Sequence, residues 1–95
     1  MKPVHYNEEF AIKFDEPVMP ATVVSRLLGI PVWVLKRIDK QGIVSPPRKK
    51  DKMRLYSKSE INKLKHIWYL IKEKKVKITG LKVVLELEKK LHRKG

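Results

Sequence analysis

Apolar residues recur along this chain in short blocks whose spacing changes from helical to extended and back. From Ala21 to Leu28, Val23, Val24, Leu27 and Leu28 fit one helical face. Gly29 is a natural C-cap, and Ile30-Pro31 makes a tight turn with Pro31 suited to the first position of the next helix. That second helix runs from about residue 31 to 41 and stops at Gly42. Two short helices joined by so brief a Gly-containing turn predict a helix-turn-helix. Residues 43–57 then read as an extended pair, with Ile43-Val44 starting it and Arg54-Leu55-Tyr56 returning; Pro46 and Pro47 suit an edge or loop. Ser57 or Ser59 caps a long helix, and Glu60 three residues after Ser57 completes a capping-box pattern. Its buried stripe is Ile61, Leu64, Ile67, Trp68 and Ile71, and it ends near Lys74. After a polar break at residues 75–77, Thr79 is placed to cap a last helix running to about Arg93. Residues 1–17 lack a clear helical period and read as an arm or a short strand over His5–Phe14, with Pro17 and Pro20 punctuating the entry to the first helix.

The expected fold is mainly α: a winged helix-turn-helix of about four helices and a short β-hairpin, with an arm at 1–17 and one domain at 18–95. Two helices are unusual on the wheel. In the second, Val34, Leu35 and Ile38 share one side, while Trp33, Lys36, Arg37 and Lys40 share the other within an arc of about 100°. A solvated face explains the lysines, but Trp33 sits on the wrong side for the core, which favours a recognition surface. In the last helix, Ile78, Leu81, Val84, Leu85 and Leu91 make one side, and Val83 and Leu87 add a second stripe. An apolar arc of about 200° exceeds what one small domain covers. Either the N-terminal arm covers Val83 and Leu87 or a second subunit does.

Charge sharpens the picture. The chain carries 23 Lys and Arg against 10 Asp and Glu, a net charge of +13 in 95 residues. The first 35 residues hold three basic side chains against four acidic ones, so the whole excess lies beyond them. Such asymmetry attracts polyanions, of which nucleic acid is the commonest, its affinity coming from released counterions. The alternative is a Lys-rich solvated surface of the kind seen in ion-pair networks, which the shortage of acids disfavours. Between the two extended runs, Arg48, Lys49, Lys50, Lys52 and Arg54 form a basic tip. A hairpin with a cationic tip after a helix-turn-helix is a wing; a basic loop without that form is the other reading.

Several function classes fall away. The absence of cysteine excludes disulfides and thiolate chemistry. No apolar run reaches the roughly 18 residues a bilayer requires, and acids and lysine interrupt any signal-peptide pattern at the N-terminus, so a cytoplasmic protein is expected. His5, His66 and His92 lack metal-ligand spacing, no two acids are placed for paired acid–base work, and no Gly-rich phosphate loop is present. An enzyme is not expected, nor a metal or cofactor. His66 reads as a solvated residue on the shoulder of the long helix.

From Val18 to about Leu91 the sequence resembles the DNA-binding domain of the MerR family. Ser25-Arg26-Leu27-Leu28-Gly29-Ile30 is similar to the end of that family's first helix. Val34-Leu35-Lys36-Arg37-Ile38-Asp39-Lys40-Gln41-Gly42-Ile43-Val44 resembles its recognition helix and the start of its wing, and Pro47-Arg48 with Arg54-Leu55-Tyr56-Ser57 the wing and its return. The segment from Ile78 to Leu87 is similar to the family's heat-shock-operon repressor branch. The most specific piece is Arg-x-Tyr-Ser following a recognition helix that ends in Asp-x-x-Gly. The resemblance implies sequence-specific binding of double-stranded DNA, as a two-fold dimer. It implies DNA contact by Lys36 and Arg37 and phosphate contact by Arg54 and Tyr56. The sequence departs from the family at Lys36, where Arg is usual, at Ile38, where an aromatic residue is frequent, and at a wing tip without Gly. It ends at Gly95, where many relatives continue into a dimerising helix and an effector domain, so no small-molecule effector segment is evident.

The expected function is therefore a transcriptional regulator, a repressor by its branch. Its DNA surface comprises Arg26, Trp33, Lys36, Arg37, Lys40, Arg48, Lys49, Lys50, Lys52, Arg54 and Tyr56, and its homodimer contact comprises Val83, Leu87 and Leu91. The alternatives are an excisionase-like architectural protein, which uses a similar module without an effector domain, and an RNA- or ribosome-associated protein. The latter lacks the exposed aromatic sheet or Gly-x-x-Gly loop of common RNA modules.

Overall fold

The computed structural model describes residues 11–47 and 53–93. The arm's residues 1–10 and the wing-tip residues Arg48, Lys49, Lys50 and Lys52 lie outside the described residues. The order of elements is β1 (Met19–Pro20), α1 (Ala21–Leu28), α2 (Val32–Lys40), β2 (Leu55–Tyr56), α3 (Lys58–Lys72), a 3-10 turn (Ile78–Gly80) and α4 (Leu81–Arg93). The described residues are mostly helical with one small antiparallel sheet, consistent with a winged helix-turn-helix.

The helix ends follow from local chemistry. Gly29 adopts φ 69° and donates its N–H to the Ser25 carbonyl, which also accepts from Ile30 at 3.2 Å. Gly42 adopts φ 72°, with its N–H on the Asp39 carbonyl at 2.9 Å. Both are left-handed positions that a Cβ would strain, although open space surrounds each. Ser57 forms the full capping box on α3: its hydroxyl accepts from the Glu60 N–H at 3.1 Å, and the Glu60 carboxylate accepts from the Ser57 N–H at 3.0 Å. The next free amide of that first turn, Ser59, donates to the Phe14 carbonyl at 2.9 Å, which ties the arm's last residues to α3.

Two expectations are corrected. The return of the wing does not pair with Ile43-Val44. Met19 is in register with Tyr56 and Pro20 with Leu55, so β2 pairs with the residues preceding α1. Residues 43–46 instead turn onto the core, where Val44 and Pro46 are buried. Thr79 does not cap α4: it lies inside the 3-10 turn, which Lys77 precedes without a side-chain cap.

The core is formed by Val24 of α1, Ile30, Val34, Leu35 and Ile38 of the turn and α2, Val44, Tyr56, the α3 stripe Ile61, Leu64, Ile67 and Leu70, and Leu81. Each such aliphatic side chain contributes about 1.5–3 kcal/mol on burial. α4 is seated by Leu81 and half-buried Val84 and Leu85, and by the His66 imidazole on the Glu88 carboxylate at 2.8 Å. His66 is thus exposed but engaged, an α3-to-α4 tie rather than a merely solvated residue.

Candidate nucleic-acid interface

α2 buries Val34, Leu35 and Ile38 and turns its other side outward. On that side Trp33, Lys36, Arg37 and Lys40 are all exposed, Trp33 to 59%. The Arg37 guanidinium lies 5.8 Å from the Trp33 ring centroid, within cation–π range, so the two share one platform. An exposed tryptophan flanked by cations on a helix packed only along its opposite stripe is not accounted for by the core. Arg26, in the last turn of α1, is exposed as well. These side chains form a cationic surface on the helix-turn-helix with donors for base edges and phosphates.

The base of the wing is a hydrogen-bonded cluster around Asp39, at the C-terminal end of α2. Asp39 is 6% exposed. Its Oδ1 accepts from the Ser45 hydroxyl at 2.5 Å, and its Oδ2 accepts from Arg54 Nε in an ion pair. The sequence reading has Arg54 as a phosphate contact and Asp39 only as part of a family motif, without the pairing between them. The signal for it was the co-occurrence of Asp-x-x-Gly and Arg-x-Tyr-Ser, whose acid and base stand 15 residues apart. Tyr56 is corrected: its ring is wholly buried and its hydroxyl oxygen inaccessible, because pairing with Met19 turns this position inward. It is a core residue and does not face a DNA backbone.

Of the residues expected at a subunit contact, Val83, Leu87 and Leu91 are 64%, 54% and 73% exposed. Spaced four apart, they form one stripe on α4. Leu91 joins this outer stripe rather than the inner side with Leu81 and Leu85, and no described residue of the arm covers any of the three. No helix among the described residues is long and apolar enough to cross a membrane, and none of their His, Asp and Glu side chains cluster as metal ligands would.

The model of the MerR HTH family of regulatory proteins matches residues 19–88, from β1 into α4. The chain belongs to the MerR family. The match covers both elements of the helix-turn-helix, the wing and the α3–α4 pair. A Streptomyces coelicolor protein named as a heat shock protein, HspR, is 32% identical over 74 residues, which are 78% of this chain and 49% of that relative. The chain thus spans about half the length of the curated relative it matches.

Proposed function

We propose that this MerR-family chain is a transcriptional regulator that binds double-stranded DNA, with α2 in the major groove and the wing along the neighbouring backbone. The observation that carries the reading is the outward face of α2, where Trp33, Lys36, Arg37 and Lys40 stand opposite the buried Val34, Leu35 and Ile38. A major groove admits one α-helix, and a cationic face with an amphipathic ring supplies both base-edge donors and phosphate attraction. Arg26 then meets the flanking backbone, and Arg48, Lys49, Lys50 and Lys52 follow it from the wing tip. Two copies joined through Val83, Leu87 and Leu91 would set two such helices about one helical turn apart on an inverted repeat. Repression is the regulatory role that asks least of this surface, since occupancy of an operator suffices.

Selection of duplexes from a random pool at about physiological salt, with the mass of the complex determined alongside, tests the reading. The expected outcome is an inverted repeat bound by two copies. Side-by-side coating of bent DNA without a repeat would favour an architectural role, and equal or tighter binding of RNA would overturn the reading.

A further inference from the structure

We infer that Asp39 is the positioning residue that sets the wing against the recognition helix, and that Arg54 serves this clamp rather than acting as a free cation for phosphate. The inference rests on the DNA-binding reading above and adds a specific device to it. One carboxylate grips both legs of the wing. Ser45, on the outgoing leg, donates to Oδ1, and Arg54, on the return leg just before β2, donates to Oδ2. The single Ser45 proton goes to Oδ1, and the Asp39 carbonyl oxygen lies farther off at 3.4 Å.

A carboxylate held out of water is unfavourable unless paired and hydrogen-bonded. Asp39 therefore favours the one arrangement in which both legs are in place. It belongs to α2, the same helix that carries Trp33 and Lys36 on its exposed side, so the clamp refers the wing directly to the reading head. DNA demands this: the distance from groove floor to the adjacent phosphates is fixed, and a wing free to swing must be ordered on binding at an entropic cost. The remainder of the fold does not depend on the clamp. Val24, Leu35, Ile38, Leu64 and Ile67 pack without it, and Leu55–Tyr56 is held by Met19–Pro20. Arg54 and Asp39 together are neutral, so Arg54 adds little to the net charge that phosphates meet.

Asp39→Asn tests the clamp, read in two ways. Without DNA, amide exchange at residues 43–45, 53 and 54 is expected to quicken by tenfold or more while α1, α3 and the Leu55–Tyr56 pairing keep wild-type protection, by the release of a locally held segment. With the selected duplex, affinity is expected to fall by about tenfold, the size expected from ordering a few side chains anew. Ethylation interference at the wing-side phosphates should fade while methylation interference in the major groove persists. The double variant Asp39→Asn with Arg54→Gln, a neutral pair that can still hydrogen-bond, should recover part of the wing contact. If Asp39→Asn does not fold, Ser45→Ala removes one arm alone and should weaken the same phosphates. Unchanged exchange across both legs, or equal loss at groove and wing in a folded variant, would overturn the inference, as would wild-type phosphate contacts in Ser45→Ala. If the wild-type chain binds no duplex, the DNA reading fails, and amide exchange still decides the clamp.

Discussion

Trp33 and Arg37 illustrate how much a single side chain's direction matters. Helical geometry places them on the outer face of α2, and the ring and guanidinium meet at 5.8 Å. Replacing Trp33 or Lys36 by Ala is expected to change which bases are preferred, by about 1–3 kcal/mol at the positions affected. Replacing Lys40 by Ala should instead weaken all duplexes about equally and lower the salt slope by about one. Arg54→Ala should lower that slope by less than Lys40→Ala, because its charge is already opposed by Asp39. Salt titrations on the selected duplex and on a scrambled one check all four variants; identical behaviour would remove the distinction between reading and backbone contacts. The exposed residues of α2 were legible because a fixed turn of about 100° per residue converts sequence into direction. Tyr56 was not. Its direction depends on its register with Met19, and side-chain identity says nothing of that.

Among elements, the helices were legible and the strand pairing was not. Gly29, Gly42 and the Ser57–Glu60 box mark their ends through interactions within a few residues of chain, and such signals survive in sequence. The strongest of them is testable. Ser57→Ala should cost about 1 kcal/mol of stability in thermal unfolding, through loss of the acceptor for the Glu60 amide. A hairpin, by contrast, was expected because the two extended runs are neighbours in sequence. Among the described residues, Leu55–Tyr56 pairs not with Ile43-Val44 but with Met19–Pro20, far away in sequence, while Ile43 and Val44 go to the core. Thr79 was misread for a related reason: a hydroxyl near a helix start resembles a cap, but the 3-10 turn at Ile78–Gly80 has already begun the coil.

At the scale of the molecule, the charge asymmetry and the excess apolar arc of α4 were both readable from composition and periodicity, whereas what meets them was not, because partners leave no direct trace in one chain. The exposed stripe gives the check. Leu87→Asp should leave the melting temperature nearly unchanged, since surface substitutions usually stay within about 0.5 kcal/mol. It should nonetheless reduce the complex on an inverted repeat to one copy, as read by sedimentation or mass. A marked loss of stability would place Leu87 in the fold instead. The pairing of β2 with β1 has a further consequence. The outgoing leg of the wing is moored at Ser45 and the returning leg at Leu55–Tyr56, each to a separate part of the body. The two legs of the wing are thus tied to different elements of the body, so a lineage can alter one attachment while the other still holds the wing's root in place.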